Sequence, residues 1–155
     1  MQIAELLTPS NIILDLDSKT NEQAIEAMLQ YMQQELHCLS AEQKESILQG
    51  FLDKEEQVSS GIGYGVAIPH FRTELIKAPL MVYAHSHEGI NFHAPDQQPV
   101  HFLFMLLVPE DQKNEHLAML AALAKLVRSA VRRKSLKGAV TAEQVLTILT
   151  TTIPD

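Results

Sequence analysis

The sequence has 155 residues, of which 46% are hydrophobic, and this size and composition fit one compact domain with its own core. Its formal net charge of −7 comes from 19 acidic and 12 basic residues, which argues against a nucleic acid or an anionic membrane as a partner, since both favour a basic surface. The longest apolar run, Phe102 to Val108, is too short to cross a bilayer, the first residues lack a secretory-signal pattern, and the one cysteine, Cys38, cannot form an internal disulfide. We therefore expect a cytoplasmic protein with a single domain over residues 1–155.

The first third of the chain predicts a short strand followed by two amphipathic helices. Ile12 to Leu14 is an apolar run of the strand type. Thr20 with Gln23, and then Ser40 with Gln43, have the spacing of capping boxes, and each pair precedes apolar residues at helical spacing. The expected buried stripes are Ile25, Met28, Met32 and Leu36 in the first helix and Ile47, Leu48, Phe51 and Leu52 in the second.

The middle of the chain predicts strands. The glycine-rich segment from Gly61 to Gly65 interrupts the helical period and leads into Val66-Ala67-Ile68, a short strand-type run that Pro69 stops. Leu80 to His85 alternates in the manner of a strand, and Val100 to Val108 is nearly all apolar between two prolines. We expect the latter to be a central strand that is buried on both faces.

The last third predicts helices. Asn114 is positioned to cap one, the segment from Arg128 to Leu136 is expected to be helical but broken, and Thr141 with Gln144 begins a final helix. The basic run Arg132-Arg133-Lys134 is expected to be a solvated helix end. Because helices precede, interrupt and follow the strands, the predicted fold is a single α/β domain with a mixed β-sheet flanked by helices on both faces.

Two histidines stand at positions that suit chemistry. Three alternate glycines before Pro69 allow positive φ and a close approach of another molecule, and the proline directs His70 out of the preceding strand end. Ligands of open α/β sheets bind beyond the carboxyl ends of strands. His116 follows the long apolar strand by a short loop and is expected in the first turn of a helix, where free N–H groups and the helix dipole favour anions.

A pair of imidazoles suits phosphoryl transfer, because one ring nitrogen can attack phosphorus while the second ring donates a hydrogen bond to the phosphoryl oxygens. The residues alone leave open that His70 and His116 are two unrelated loop histidines. A further alternative is a metal-binding module that uses His85, His87 and His93, whose spacing could bind zinc.

Residues Gly61 to His70 read Gly-Ile-Gly-Tyr-Gly-Val-Ala-Ile-Pro-His, which resembles the active-site signature of phosphotransferase-system enzyme IIA domains of the mannitol/fructose type, a family with a nitrogen-related branch. The similarity extends over nearly the whole chain, including Leu-Thr-Pro-Ser-Asn-Ile from Leu7 and Glu115-His116-Leu117. The resemblance implies that His70 is phosphorylated by the phosphohistidine of HPr or a paralogue and that His116 stabilises the phosphoryl group. It also implies a mixed sheet flanked by helices, and a cysteine of enzyme IIB as the acceptor.

The same resemblance implies that Lys54, Ser60, Gly61 and Gly63 support or bind the phosphoryl group. Many relatives have Arg-Glu where this chain has Lys54 and Glu55, and lysine lacks the planar fork of arginine. Serine stands at position 60 where threonine is common, which keeps the hydroxyl. Phe71 follows the active histidine where a small residue is usual, and we expect its ring to narrow access to the site.

The leading hypothesis is therefore a phosphocarrier for sugar uptake that needs no cofactor and meets the membrane only indirectly, through the transporter. The alternative is a regulatory enzyme IIA of the nitrogen type, which binds other proteins according to its phosphorylation state. The metal-binding module is the third reading. His70 serves both of the first two, so the signature does not separate them.

Overall fold

A computed structural model describes residues 2–151, so Met1 and residues 152–155 of the predicted domain lie outside it. Its sheet is organised around two long neighbouring strands that pair antiparallel, and the sequence predicts a strand at each of the two places. Short strands extend the sheet in parallel on either side, so it is mixed. The strands are β1 (Ile12–Ile13), β2 (Gly61–Gly63), β3 (Val66–Ala67), β4 (His70–Thr73), β5 (Leu80–Ile90) and β6 (Val100–Pro109).

The strand order is β1-β5-β6-β3-β2. Strand β4 pairs with the same edge of β6 as β3 does, but with residues nearer the end of β6. Central strand β6 is buried as predicted, and its alternate side chains enter two separate cores. Leu103, Met105 and Leu107 pack into one core, whereas Phe102, Phe104 and Leu106 pack into the other.

Helices cover both faces of the sheet, which confirms the predicted fold class. The face of Leu103 packs against the two helices of the first third of the chain, and the opposite face packs against the others. None of the helices among residues 2–151 combines the length and apolarity needed to span a bilayer. The first pair is α2 (Asn21–Gln34) and α3 (Ala41–Gln57); the others are α1 (Ile3–Leu6), α4 (Lys113–Val127), α5 (Ala130–Gly138) and α6 (Ala142–Thr150).

The predicted helix starts are mostly confirmed. Thr20 and Ser40 each form a reciprocal capping box, and the hydroxyl of Thr141 accepts a hydrogen bond from the backbone of Gln144. The prediction for α4 was wrong by two residues, because the helix already begins at Lys113 and Asn114 therefore lies inside it. The break after Arg128 separates α4 from α5, which Ser129 caps.

The basic run of α5 is not the solvated helix end that the sequence suggested. Arg132 is only 7% exposed and donates a hydrogen bond to the carbonyl of Ile148 in the last turn of α6, where the helix dipole favours a cation. The guanidinium of Arg133 lies 4.7 Å from the centre of the Tyr64 ring. Only Lys134 is exposed. The expectation failed because charge density alone does not show which side chains have packing partners.

The glycine-rich segment folds as a tight hairpin. Gly63 of β2 pairs with Val66 of β3, and the two residues between them, Tyr64 and Gly65, have φ angles of 60° and 72°. Positive φ at both central residues is the geometry of a type I′ turn. Gly63 itself has φ 90°, a conformation that side chains disfavour. The hairpin sets the start of β3 and therefore the approach of the chain to His70.

Candidate functional site

The expected strand before His70 is present as β3, but His70 itself begins a new strand, β4, which the sequence did not predict. β3 ends at Ala67, and pairing with β6 resumes at His70, which lies opposite Leu106. Pro69 lies between the two segments and has no N–H to donate, so it cannot continue the ladder as a donor, although its carbonyl accepts from the Leu106 backbone at 2.9 Å. His70 is thus held by strand pairing at a break in the sheet edge.

The ring of His70 is held in one tautomer. Its Nδ1 lies 2.7 Å from the carbonyl oxygen of Ile68, and because a carbonyl can only accept, Nδ1 donates the proton and Nε2 keeps its lone pair. Burial lowers the pKa of His70, and nearby Lys54 lowers it further, while the hydrogen bond to Ile68 opposes both. The imidazole is therefore neutral near pH 7 and has its lone pair on Nε2.

His116 lies in the first turn of α4, and the structure brings it next to His70. The centres of the two rings are 5.1 Å apart and their planes are inclined by 62°. His116 is 7% exposed, and its Nε2 has no hydrogen-bond partner within residues 2–151. A buried ring nitrogen without a partner is costly, so this atom is positioned for a ligand that can complete its hydrogen bonding.

The electrostatic setting of His116 keeps it uncharged. Burial is the largest cause that lowers its pKa, which falls to about 4. The neighbouring His70, Lys54 and Arg72 lower it further through their charges. At neutral pH the ring therefore carries one proton, which either nitrogen can hold, and it can donate that proton in a hydrogen bond.

Lys54, in the last turn of α3, reaches the backbone of His70. Its Nζ donates a hydrogen bond of 2.9 Å to the carbonyl oxygen of His70. Burial lowers the pKa of Lys54, Glu55 opposes this lowering and Arg72 adds to it. Over the described ranges, the ion pair within 4.0 Å is Lys44 with Glu26, so the charge of Lys54 is not neutralised there by a carboxylate.

Glu55 serves a different purpose from the lysine beside it. It is 9% exposed, and its two carboxylate oxygens lie 3.1 and 2.8 Å from the backbone nitrogen of Ser60, which donates to them. The Ser60 carbonyl in turn accepts from Ile68 at 2.9 Å, whereas the Ser60 hydroxyl oxygen is buried without a partner in the described part of the chain. Glu55 therefore holds the loop at Ser60, which in turn binds Ile68, next to the sheet edge that carries His70.

An open cavity of about 330 Å³ lies against this edge. Its polar lining includes Lys54, Ser60 and His70 together with the acidic Glu55, and its apolar lining includes Phe51. Lys54 and Ser60, two of the predicted supporting residues, therefore line the same cavity as His70.

The two remaining predicted supporting residues, Gly61 and Gly63, shape the hairpin. The backbone nitrogen of Gly61 already donates to the Ser59 hydroxyl at 3.0 Å, and a Cβ atom at position 61 would lie 2.8 Å from the side chain of Ala94. Gly63 is required by its φ of 90°. The N–H group of Gly61 is thus already engaged, and Gly63 is needed for its backbone angle. We therefore expect both glycines to support the site by fixing the shape of the hairpin.

Phe71 does not narrow the site, which corrects the expectation from its size. Side chains alternate along a strand, and Phe71 lies on the opposite face of β4 from His70. Its ring packs 5.4 Å from that of Phe51 and over the bare backbone of Gly50. The missing side chain at position 50 leaves the space that the phenylalanine fills.

Arg72 was not among the predicted site residues, although it lies two residues after His70 and so on the same face of β4. It is half-buried, and its charge lowers the pKa values of both Lys54 and His116. The period of two along a strand that starts at His70 would have identified it.

The metal-binding alternative has no support from the geometry. The rings of His85 and His87 lie 4.5 Å apart, but no group of three histidine, cysteine or acidic side chains in the described part of the chain is placed to hold a metal ion. His93 therefore does not complete a zinc site with them.

Comparisons with known proteins identify relatives that match nearly the whole chain. The family model for the phosphoenolpyruvate-dependent sugar phosphotransferase system, EIIA 2, matches residues 5–151. The chain is 32% identical over 149 residues to the fructose-specific EIIABC component of Bacillus subtilis, covering 96% of this chain but only 23% of that protein. It is 30% identical over 149 residues to a nitrogen regulatory protein of Pseudomonas aeruginosa, covering 96% of this chain and 95% of the relative. The crystal structure of the nitrogen regulatory protein IIA-Ntr from Neisseria meningitidis superposes with a TM-score of 0.82 at 33% identity, covering 96% and 99% of the two chains.

Proposed function

This chain belongs to the EIIA 2 family of the phosphoenolpyruvate-dependent sugar phosphotransferase system, and from that membership we propose that it is a cytoplasmic phosphocarrier in which Nε2 of His70 accepts and passes on a phosphoryl group. The donor is the phosphohistidine of HPr or a paralogue, and the acceptor is a cysteine of enzyme IIB. The observation that carries the proposal is the Nε2 of His116, unpartnered within residues 2–151, beside a His70 ring whose hydrogen bond through Nδ1 leaves the lone pair on Nε2.

In the first transfer, the lone pair of Nε2 attacks phosphorus and forms a new N–P bond. The N–P bond of the donor breaks, and its electron pair returns to the donor imidazole. In the second transfer, a cysteine thiolate of enzyme IIB attacks phosphorus, and the electron pair of the N–P bond returns to His70. The hydrogen bond from Nδ1 to Ile68 holds the ring and stabilises the positive charge that builds on it when Nε2 is phosphorylated.

The surrounding groups supply position and positive potential. His116 donates from Nε2 to a phosphoryl oxygen and so acquires the partner that it lacks within residues 2–151. Lys54 and Ser60 line the cavity next to His70, and the buried Ser60 hydroxyl has no partner within residues 2–151. Contact with the membrane is only indirect, through enzyme IIB and its transporter, and nucleic acid is not a partner.

The alternative is a regulatory enzyme IIA of the nitrogen type. Two similarities favour it. The chain covers nearly the whole length of the nitrogen regulatory proteins but only 23% of the fructose-specific component, and the sequence identities to both kinds of protein are close to each other. His70 would be phosphorylated in the same way, and the phosphorylation state would then decide which protein the chain binds.

Intact-mass spectrometry tests the shared chemistry. The protein is incubated with phosphoenolpyruvate, enzyme I and HPr, and separately with the nitrogen-type paralogues of those two donors. We expect one acid-labile phosphoryl group on the wild type and on His93→Ala, an exposed histidine outside the site, and none on His70→Ala. An unphosphorylated wild type with both donor pairs, or a phosphorylated His70→Ala, would contradict the proposal.

A second experiment separates the two roles. Phosphorylated protein is mixed with the IIB domain of a fructose or mannitol transporter, and label on the IIB cysteine is followed over time. Rapid transfer supports the transport role. Absence of transfer, together with a protein retained by only one phosphorylation state, supports the regulatory role.

A further inference from the structure

Arg72 is placed on the phosphoryl-accepting side of β4 by the strand itself. β4 pairs with β6 so that His70 lies opposite Leu106 and Arg72 opposite Val108. Both partners belong to the core on the α4 side of the sheet, whereas Phe71 packs on the α3 side. His70 and Arg72 therefore face the side from which α4 presents His116.

The guanidinium of Arg72 has donors to spare. The polar contact that the structure gives it is a hydrogen bond of 3.5 Å from Nη1 to the carbonyl of Glu110, which is at the outer limit for such a bond. Among residues 2–151, no carboxylate lies within 4.0 Å of it. A guanidinium with five N–H donors and no carboxylate partner among residues 2–151 is suited to bind an anion, and phosphate matches its planar fork.

The field of Arg72 also reaches the site. Its charge acts on His116 and on Lys54, which approach His70 from different helices, α4 and α3. The charge is therefore close enough to the nucleophile to act on an anion that is bound there.

We propose that Arg72 binds the oxygens of the phosphoryl group on His70 and supplies the bidentate contact that Lys54 cannot make. This rests on the proposed function, in which His70 carries the group. Arg72 stays protonated throughout and neither takes nor gives a proton. As the N–P bond of the donor breaks and the bond to Nε2 forms, its N–H groups stabilise the charge on the phosphoryl oxygens.

Single-turnover phosphorylation of the 155-residue chain by excess phosphorylated donor tests this, with kcat taken as the rate constant at saturating donor and KM as the donor concentration that gives half of it. We expect R72Q to lower kcat for phosphorylation by about tenfold or more, with the KM for the phosphorylated donor within about twofold of wild type. R72K, which keeps the charge but loses the fork, should have a kcat between the two. R128Q removes an exposed arginine at the far end of α4 and should match wild type. A wild-type kcat in R72Q would overturn the proposal, and so would a change confined to KM, which would make Arg72 a docking residue.

A second measurement needs no phosphoryl donor, so it tests the role of Arg72 separately from the proposed function. Inorganic phosphate is titrated into the wild type, R72Q and R128Q while the imidazole signals of His70 and His116 are followed by NMR. We expect the Kd for phosphate to rise by about fivefold or more in R72Q alone. An unchanged Kd would overturn the role of Arg72 even if no phosphoryl donor were found. If R72Q did not fold, R72K would replace it, and its Kd for phosphate should rise by about twofold.

Discussion

The imidazole rings of His70 and His116 lie 5.1 Å apart, centre to centre, and the buried Nε2 of His116 has no partner among the residues that the structure describes. The pair therefore couples two events. A phosphoryl group on His70 would satisfy the unpartnered nitrogen, and its negative charge would oppose the causes that keep the pKa of His116 at about 4.

Replacing His70 and replacing His116 should affect phosphorylation differently. We expect His116→Ala to accept one phosphoryl group at a rate lower by about tenfold to a hundredfold, because a hydrogen-bond donor to the developing charge is lost while the nucleophile remains. His70→Ala should accept none. Quench-flow labelling followed by mass spectrometry measures both, and equal labelling of the two variants would show that the roles are assigned wrongly.

Phosphorylation should change the titration of His116. In the free protein, NMR of labelled imidazole nitrogens should give a pKa of about 4, since burial and nearby positive charges oppose protonation. In the phosphorylated protein the pKa should rise, because the phosphoryl dianion favours the charged ring. The variant Lys54→Gln, unphosphorylated, should show a smaller rise from the loss of one cation. A pKa that stays the same after phosphorylation would mean that His116 does not face the phosphoryl group.

His116 should also make stability depend on pH. Its pKa in the folded protein is about 4, below the value of about 6.5 in an unfolded chain, so the unfolded state binds more protons between these pH values. Its contribution to stability is therefore complete above pH 6.5 and is lost as the pH falls towards 4. From pH 7 to pH 4.5 the free energy of unfolding should fall by about 2 kcal/mol more in the wild type than in His116→Asn. Urea denaturation at the two pH values measures this, and equal losses would contradict it.

Phe71 should matter for stability and not for access. Phe71→Ala leaves a cavity over Gly50 and beside Phe51, so we expect a loss of about 2–3 kcal/mol in the free energy of unfolding, while Phe71→Leu should lose less. Because the ring lies on the far face of β4, the phosphorylation rate of folded Phe71→Ala should stay within about twofold of wild type. A faster rate at unchanged stability would show that the ring does restrict the site.

The hairpin should require glycine at position 63. Gly63→Ala forces a side chain into a φ of 90° and should destabilise the protein by about 1–2 kcal/mol. Gly138→Ala is the matched control, because no described atom lies within 4 Å of the added Cβ and the residue ends a helix, where alanine is favoured. Thermal denaturation of the two variants compares them, and equal melting temperatures would count against the strained turn.

Much of the fold could be read from short stretches of sequence. The pairs Thr20 with Gln23 and Ser40 with Gln43 predicted the starts of α2 and α3, and the apolar run of β6 predicted the central strand. These signals are local, since a capping box depends on residues three positions apart. The weaker signal at Asn114 failed, because α4 begins at Lys113.

The site was predictable in part for the same reason. His70 and His116 each stand out through their immediate neighbours, and the signature from Gly61 to His70 indicated the family that the comparison then showed. Arg72 and Arg132 have no such neighbourhood. Arg72 lies beside β6 and α4, and Arg132 lies beside α6. In both cases the neighbouring element comes later in the sequence, outside the local pattern around the arginine.

The sequence by itself therefore determined the helix caps, the buried strands, the fold class and the two histidines, because period and capping act over a few residues. Only the tertiary structure decided that His70 begins a strand, that Phe71 turns away from the site and that Arg72 turns towards it. Those outcomes depend on which strand pairs with β4 and which helix covers each face. Such choices are made by packing between distant segments, and a one-residue difference along a strand reverses the side on which a side chain lies.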